Sequence, residues 1–389
     1  MRYNFDLIVN RQNTDSVKYD LRGAVFGNPD VIPMWVADMD FETPDFVREA
    51  IRRRADNPIY GYTFRSDVYH EAIAGWLLRR HGWKVDKEWM SFSPGIVCAI
   101  NMAVLSLTEL GDEIIIQTPV YPPFHRAATD HGRKLISNPL VKTDIGYEVD
   151  YELLERQAST AKMLILCNPH NPVGRAWRRD ELQRIGEICL RHGVLVLSDE
   201  IHCDLVMPGH RHTPYATLGE DFANNAVVMH AASKTFNLAG LSTATVIIPN
   251  ESLRRRYTSF MHSTEADMGN LFGKEATQAA MFHGDEWIEQ LIEYVYGNMC
   301  YVASFLEQEL PIIKFFMPQA TYMMWLDFSG LGLDEDTLWH KLTKEAGLGF
   351  NRGSDFGAEG LCHFRVNLAC PRATVEEAMR RLKATFSGK

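Results

Sequence analysis

Short apolar runs separated by amphipathic stretches dominate the middle of the chain. The runs at Met163–Cys167, Val194–Ser198 and Val227–His230 are almost wholly apolar, which is typical of strands buried on both faces. Between the first two, Arg179–His192 has the apolar spacing of a helix that covers a sheet. This alternation of strand and helix predicts a largely parallel sheet with helices packed on it.

Helix signals are found on both sides of these runs. Asp67–His81 is amphipathic and ends before Gly82, while Thr43 is expected to cap a helix that begins at Pro44. Further elements are expected as follows: a helix from Ile96 to about Leu110 opened by Ser93-Pro94-Gly95, a long helical region over Lys274–Leu310, and strands at Glu113–Gln117, Lys134–Leu140 and Thr243–Pro249.

The pattern changes in the C-terminal part, where helices alternate with strands such as Thr321–Phe328 and His363–Leu368. This texture predicts a smaller α+β domain beside the large α/β one. Residues 1–30 show no strong periodicity and are expected to form an arm. We therefore divide the chain into an N-terminal arm with part of the small domain (1–48), a large α/β domain (49–285) and a small C-terminal domain (286–389).

Composition excludes several classes of protein. The chain has 389 residues with a net charge of −10 and no basic stripe, which argues against nucleic acid as a partner. The N-terminus has no apolar signal core and no stretch reaches membrane-spanning length, so we expect no membrane contact. Seven scattered cysteines without a Cys-x-x-Cys pair predict buried thiols and a cytoplasmic location. His210 and His212 are expected in a surface loop, and no metal site is expected.

Lys234 comes shortly after the apolar run that ends at His230, separated from it by Ala231, Ala232 and Ser233. A lysine held near a buried strand end loses water, and desolvation lowers the pKa of its amine. Such an amine suits Schiff-base chemistry with a carbonyl group. Taken alone, a solvated surface lysine is the commoner explanation of this pattern.

Asp199 and Asn171 follow two neighbouring runs of the predicted sheet. Asp199 comes directly after Val194–Ser198, and ligands of open α/β sheets bind beyond the carboxyl ends of the strands. Asn171 lies in NPHNPVG, whose two Asn-Pro pairs and Gly predict consecutive turns. An ordinary loop or capping role remains open for both residues.

Three more stretches carry candidate binding groups. Gly95 opens a helix, and the unpaired N–H groups of Ile96 and Val97 suit a phosphate. Tyr121 follows a predicted strand and could lie on a flat ring or pack against its neighbouring prolines. Arg365 alternates with apolar neighbours in FRVNLACP; its guanidinium could bind a carboxylate or lie on the surface.

Together, the motifs MWVADMDF (34–41), YPPF (121–124), NPHNPVG (168–174), DEIHCD (199–204), SKTFNLAG (233–240) and FRVNLACP (364–371) resemble one known family over almost the whole chain. The chain resembles fold-type I pyridoxal 5'-phosphate (PLP) enzymes of the class I/II aminotransferase superfamily, and within it the MalY/PatB branch of cystathionine β-lyases, or C–S lyases. The resemblance implies a large domain with a mostly parallel seven-stranded sheet covered by helices, a smaller α+β domain, and a homodimer.

The resemblance also implies roles for individual residues. Lys234 would carry the cofactor and act as the base, Asp199 would face the pyridine nitrogen, and Tyr121 would stack on the ring as a catalytic and substrate-binding residue. The remaining implied contacts are the phenolic oxygen for Asn171 and His202, the phosphate for Gly95, Ile96, Val97 and Ser233, the partner subunit's phosphate for Tyr62, and the substrate for Arg365, Asn171 and Tyr62.

Three positions depart from the family pattern. Ala231 stands where the family commonly has a phosphate-contacting serine, and Ser242 stands where classical aspartate aminotransferases have an arginine. Val173 replaces the usual threonine of the Asn-Pro-Thr turn. The phosphate site is therefore expected to be weaker or to use other donors.

The resemblance implies β-lyase action on L-cystathionine or a related cysteine S-conjugate, in methionine biosynthesis. An aminotransferase shares every cofactor residue and is the second hypothesis; a non-catalytic regulator acting through a partner protein is the third. No second arginine can be assigned to a distal carboxylate, which disfavours a dicarboxylate aminotransferase. Trp35, Tyr62 and Phe124 could line a pocket for a thioether, or belong to the core.

Overall fold

The computed structural model describes residues 2–387. Its α-helices are α1 (Val17–Asp20), α2 (Arg22–Phe26), α3 (Asp45–Ala55), α4 (Asp67–His81), α5 (Ile96–Leu107), α6 (Pro123–Thr129), α7 (Tyr151–Ala158), α8 (Arg179–His192), α9 (Glu220–Asn224), α10 (Glu251–Ser263), α11 (Leu271–His283), α12 (Asp285–Glu309), α13 (Glu335–His340) and α14 (Arg372–Phe386). None of these helices is long and apolar enough to cross a membrane.

The strands of the same residues are β1 (Ile32–Pro33), β2 (Met90–Ser93), β3 (Glu113–Ile116), β4 (Lys134–Ser137), β5 (Val141–Thr143), β6 (Gly146–Glu148), β7 (Met163–Cys167), β8 (Leu195–Asp199), β9 (Ala226–His230), β10 (Ala244–Ile247), β11 (Lys314–Phe315), β12 (Met323–Asp327), β13 (Leu348–Gly349), β14 (Asn351–Arg352) and β15 (His363–Asn367).

Seven strands form the large sheet in the order β2-β10-β9-β8-β7-β3-β4. The strands β4, β3, β7, β8 and β9 are parallel, and β10 is antiparallel to both of its neighbours. The predicted α/β fold with a mostly parallel seven-stranded sheet is therefore confirmed. Parallel pairing places the carboxyl ends of β7, β8 and β9 along one edge of the sheet.

Both faces of this sheet are covered, which explains the uninterrupted apolar runs. Along β7, Met163, Ile165 and Cys167 belong to one buried cluster, while Leu164 and Leu166 belong to the other. Successive side chains of a strand point to opposite faces, so a strand between two helix layers needs apolar residues at every position.

A second, antiparallel sheet has the order β11-β12-β15-β14. Its neighbour is the two-stranded parallel pair of β1 and β13, in which Ile32 faces Leu348 and Pro33 faces Gly349. The segment that follows β1 therefore begins beside the C-terminal part of the chain. We call residues Met34–Phe41 the strap, because they continue from this pair toward the loop after β9.

Several expected details differ in the structure. The predicted cap Thr43 donates to the carbonyl oxygen of Asn237 (3.4 Å), and α3 begins after Pro44. The long helical region is divided into α11 and α12 at Gly284. A Cβ on Gly284 would lie 2.2 Å from the ring of Phe236, so close packing requires glycine there. The arm also contains the short helices α1 and α2.

Candidate active site

Lys234 lies in the loop after β9, close to the strap. Its Nζ donates to the carbonyl oxygen of Ala37 at 2.6 Å. Burial is the main cause that lowers the pKa of this amine to about 8, and the positive charge of Arg365 adds to it. Asp38 and Asp199 act in the opposite direction. The amine is therefore unprotonated to a much larger extent at mildly alkaline pH than an ordinary lysine.

Asp199 is the last residue of β8 and only 4% exposed. One carboxylate oxygen accepts the backbone N–H of Ile201 at 3.0 Å. Burial raises the pKa of this carboxyl to about 7, although the Ile201 bond and the Lys234 charge oppose the rise. A buried carboxyl group of this kind is stabilised in its charged form by any cation placed against it.

His202 is buried one turn beyond Asp199, with its ring edge-on to Tyr322 at 6.1 Å between centroids. Its Nδ1 has no hydrogen-bond partner among residues 2–387. Burial, followed by the charges of Lys234 and Arg365, lowers the pKa of His202 to about 3. The ring is therefore neutral and has one ring nitrogen available to a further group.

Arg365 lies on β15 and is buried, so the alternative of a surface arginine is wrong. Its two Nη atoms donate to Asn171 Oδ1 (3.1 Å), Asn351 Oδ1 (2.7 Å) and the carbonyl oxygen of Trp35 (2.9 Å). Its Nε is buried and lacks a hydrogen-bond partner within the described chain. Burial lowers the pKa of Arg365 to about 10. The guanidinium is thus held in place by neutral oxygens and keeps an uncompensated charge.

Tyr121 is half-buried beyond β3, with its ring 6.3 Å from that of Phe124 in an edge-on arrangement. Burial raises the pKa of Tyr121, and the charge of Arg365 opposes this rise. Phe124 is fully buried in the core, so it does not line a pocket. The indole of Trp35 donates to the carbonyl oxygen of Lys18 (3.0 Å) and packs edge-on against Phe26.

The start of α5 contains the residues that were predicted to bind an anion. Gly95 has φ +110°, and no atom lies within 4 Å of where a Cβ would stand. Ile96 and Val97 form the first turn after it. Ser233 is half-buried beside Lys234, whereas Ala231 is buried and offers no side-chain donor.

Within one chain, Tyr62 does not contact the other candidate site residues. It is 97% exposed and makes no hydrogen bond or ring contact with the described part of the chain. The same extended segment exposes Ile59, Tyr60 and Phe64. A groove of about 670 Å³ runs beside it, with Arg65 and Met268 among its lining residues.

The strap is a part of the site that sequence reasoning missed. The side chain of Asn237 accepts from Met39 N (3.0 Å) and donates to the carbonyl oxygens of Met39 (3.0 Å) and Phe41 (3.1 Å). From the other side, Asn367 donates to the carbonyl oxygens of Val36 (2.7 Å) and Asp38 (2.6 Å). Both asparagines lie in motifs noted above, but nothing in the sequence showed that they bind one segment.

A buried carboxylate behind the lysine loop was also missed. Asp204 accepts from Trp76 Nε1 (3.0 Å) and Thr235 Oγ1 (2.8 Å), and it lies 2.7 Å from His81 Nε2. Hydrogen bonds and charge from His230 and His81 hold the pKa of Asp204 well below its usual range despite burial. Asp204 therefore joins α4 to the residue that follows Lys234.

Two expectations about individual side chains are wrong. His212 is not in the surface part of its loop: it is buried, and its Nε2 lies 2.9 Å from Glu200 Oε2. The seven cysteines are all free thiols, but Cys300 is exposed and Cys98 and Cys362 are only partly buried.

The buried polar groups fit PLP. Asp199 is a buried carboxyl group that lacks a bonded cation, and a pyridine nitrogen that carries a proton would supply one. His202 Nδ1 lacks a partner in the described residues, as a ligand oxygen would require. The open space at Gly95 and the helix start beyond it suit a phosphate. The Lys234 amine, whose pKa is lowered to about 8, would be available for attachment to an aldehyde.

Comparison with known proteins supports this interpretation. The family model "Aminotransferase class I and II" matches residues 29–382. The chain is 43% identical to the cystathionine beta-lyase PatB of Bacillus subtilis, over 99% of this chain and 100% of that protein.

Two solved structures are also similar over nearly their whole length. Cystalysin from Treponema denticola, which contains a pyridoxal 5'-phosphate cofactor, superposes with a TM-score of 0.96 at 34% identity, covering 99% of both chains. The PLP-bound C-S lyase of Staphylococcus hominis has a TM-score of 0.93 at 34% identity, covering 100% of this chain and 98% of that one.

Proposed function

This chain belongs to the aminotransferase class I and II family, and from that premise we propose that it is a PLP-dependent carbon–sulfur β-lyase. Its substrate is L-cystathionine or a related cysteine S-conjugate. With one water molecule, L-cystathionine yields homocysteine, pyruvate and ammonia. Homocysteine as the product is the reason for assigning the enzyme to methionine biosynthesis.

The observation that carries the proposal is the half-buried Lys234 amine, whose charge interacts with the buried residues Asp199, His202 and Arg365. Arg365 holds the α-carboxylate of the substrate through its free Nε and its fixed Nη atoms. Lys234 then removes the proton from Cα, for which an amine with a pKa of about 8 is suited. The similarity to C–S lyases selects the reaction that follows.

When bound, PLP accepts the electron pair that remains after the Cα proton has left. Asp199 would hold a negative charge against the ring nitrogen, and His202 and Asn171 would bond the phenolic oxygen. Tyr121 would stack on the ring, and Gly95, Ile96, Val97 and Ser233 would bind the phosphate. The thiolate on Cβ departs with the electrons of the C–S bond. Lys234, which has taken the proton from Cα, can then donate a proton to the departing thiolate.

The decisive experiment is incubation with L-cystathionine in the absence of any keto acid. We expect free thiol, followed with a chromogenic disulfide, and pyruvate, followed with a coupled dehydrogenase. If neither product forms, but an ordinary amino acid gives a keto acid once an acceptor is added, the protein is an aminotransferase and the lyase proposal is wrong.

Lys234→Ala provides the control for the same experiment. We expect the purified protein to be yellow, and borohydride reduction to attach the cofactor to the peptide that contains Lys234. The variant should lose the attachment and the lyase reaction. Attachment that persists in the variant would contradict the assignment of this lysine.

We further propose a homodimer in which Tyr62 reaches the phosphate of the partner subunit. Support comes from the exposure of Tyr62 and of its apolar neighbours Ile59, Tyr60 and Phe64, since apolar patches of this kind mark interfaces. Free thiols at all seven cysteines support a reducing compartment, and we propose the cytoplasm. The division at residues 48 and 285 also remains a proposal, supported by the two separate sheets.

A further inference from the structure

One backbone carbonyl in the site receives two side-chain donors. The oxygen of Ala37 accepts Lys234 Nζ at 2.6 Å and the hydroxyl of Tyr322 at 2.8 Å. A carbonyl oxygen has two lone pairs, so the two donors occupy its full capacity. The tyrosine therefore determines which side of the oxygen remains for the amine.

The carbonyl itself is held firmly by the rest of the strap. Asn237 and Asn367 bond the strap from opposite sides, as described above. Arg11 pairs with Asp38 (2.7 Å) and Asp40 (2.8 Å), and the buried Lys18 also pairs with Asp40 (2.8 Å). Because the strap is fixed on both sides of Ala37, the lysine amine is directed to one place.

Tyr322 is also rigid. It is 1% exposed, its backbone oxygen accepts Leu368 N (2.9 Å), and its ring packs edge-on against His202. Such a hydroxyl group stays hydrogen-bonded, because an unpaired buried polar group is costly. The ring thus lies between the cofactor partner His202 and the carbonyl that holds the amine.

We propose that Tyr322 is a positioning residue for Lys234: its hydroxyl occupies one lone pair of the Ala37 oxygen, and so fixes where the free amine rests and limits how strongly the carbonyl stabilises the ammonium form. This inference rests on the proposed role of Lys234 as the base. Tyr322 acts through the carbonyl and does not itself transfer a proton.

Other charged and titratable groups around the Lys234 amine also influence its protonation. Arg365 disfavours the ammonium form, whereas Asp38 and Asp199 favour it. His202 is neutral because burial lowers its pKa to about 3. Tyr322 is neutral as well, since burial raises its pKa. Removing the tyrosine hydroxyl leaves all these charges in place and frees the carbonyl to bind the ammonium form alone.

The test is the acid–base behaviour of Lys234 in Tyr322→Phe. Lys234 lines an open groove of about 900 Å³, so a small acylating reagent can reach it in the full chain after the cofactor is removed with L-cysteine and dialysis. Labelling of its peptide is measured against pH by mass spectrometry. We expect the midpoint to rise by about 0.5 to 1 pH unit, because the carbonyl and any entering water favour the charged amine.

The matched control is Tyr215→Phe, which removes a buried hydroxyl that has no hydrogen-bond partner within residues 2–387. Its labelling midpoint should equal that of the unmodified chain. In the holoenzyme, Tyr322→Phe should lower kcat about tenfold with little change in KM, because the base is misplaced after the substrate has bound.

An unchanged labelling midpoint in Tyr322→Phe overturns the proposal, even if kcat falls, because the residue would then be merely structural. Tyr322→Met is the second variant if the first does not fold, since methionine fills the space flexibly and lacks the hydroxyl. A different result would contradict the proposed function itself: after borohydride reduction, the cofactor would be found on a peptide other than that of Lys234.

Discussion

Asp199 illustrates how strongly burial alone changes the acidity of a carboxyl group. Its folded-state pKa is about 7, whereas the ordinary value is 3.8. Between these two values the folded chain retains a proton that the unfolded chain has released. Protonation therefore stabilises the cofactor-free protein in this window, and the stabilisation is lost as pH rises through it.

Buried His202, whose pKa is lowered, contributes in the opposite direction over part of the same range. We therefore expect the change in the free energy of unfolding of the cofactor-free protein from about pH 4.5 to pH 7 to be a few kcal/mol more positive in Asp199→Asn than in the unmodified chain. Urea unfolding of both proteins across the window measures it. Asp327→Asn is the control, because the Asp327 pKa is lowered to about 2 and this carboxylate is charged throughout. Equal slopes in Asp199→Asn and the unmodified chain would contradict the shift.

Arg365 can be tested by a change that keeps its charge. Arg365→Lys lacks the planar fork needed to bond Asn171, Asn351 and the substrate carboxylate together. We expect a loss of about 2–4 kcal/mol in transition-state binding, measured as kcat/KM for L-cystathionine, with the cofactor still bound.

The matched control is Arg352→Lys, on the adjacent strand β14, where Arg352 pairs with the exposed Asp336. It should leave kcat/KM nearly unchanged. If Arg365→Lys behaved in the same way, Arg365 would not bind the substrate carboxylate.

At the scale of elements, the sequence predicted those segments whose ends carry local signals. The helices α4 and α8 have the predicted bounds because Gly82 and Gly193 follow them in the left-handed conformation (φ +65° and +66°), which glycine adopts readily. β7 also has its predicted bounds, since its apolar run is continuous. Local periodicity was sufficient in these cases.

Contacts between distant segments could not be predicted in this way. Phe124 was a pocket candidate because it stands beside Tyr121, but its side chain faces the core. His212 was placed in a surface loop by its Gly/Pro-rich neighbours, yet a carboxylate from another segment, Glu200, holds it inside. The strap was noted as the motif MWVADMDF, but its role in the site was not predicted, because its partners Asn237 and Asn367 lie far away in the chain.

Asp204 joins α4 to the lysine loop and should matter for stability. The Asp204 carboxylate accepts hydrogen bonds from Trp76 and Thr235 and contacts His81. In Asp204→Asn, an NH2 group replaces one of the two carboxylate oxygens and places a donor against these donors. We expect the free energy of unfolding, measured with urea, to fall by about 1–3 kcal/mol. Asp67→Asn, at the exposed start of the same helix, should change it by less than about 0.5 kcal/mol. Similar losses in both variants would show that the buried contacts contribute little.

At the scale of the whole molecule, shared sites can be tested by mixing subunits. If Tyr62 completes the partner's site, Tyr62→Phe and Lys234→Ala chains that are each nearly inactive should regain activity on mixing. One of the two sites in a mixed dimer then carries both native residues, so at most about a quarter of the activity per chain should return. Lyase activity after subunit exchange measures it, and mixing either variant with itself is the control. No recovery despite proven exchange would exclude sharing.

The strap also determines when, during synthesis, the site can be completed. Its hydrogen bond to Asn237 links residues 198 positions apart, whereas its bond to Asn367 spans 331 positions and can form only after Asn367 has left the ribosome. Closing the shorter loop also costs less entropy. In pulsed hydrogen exchange during refolding, the Met39 amide, which bonds Asn237, should gain protection before the Asp40 amide, which bonds Ala369. The reverse order would mean that the strap pairs with the C-terminal segment first. The nascent chain would then form neither contact of the strap before that segment is synthesised.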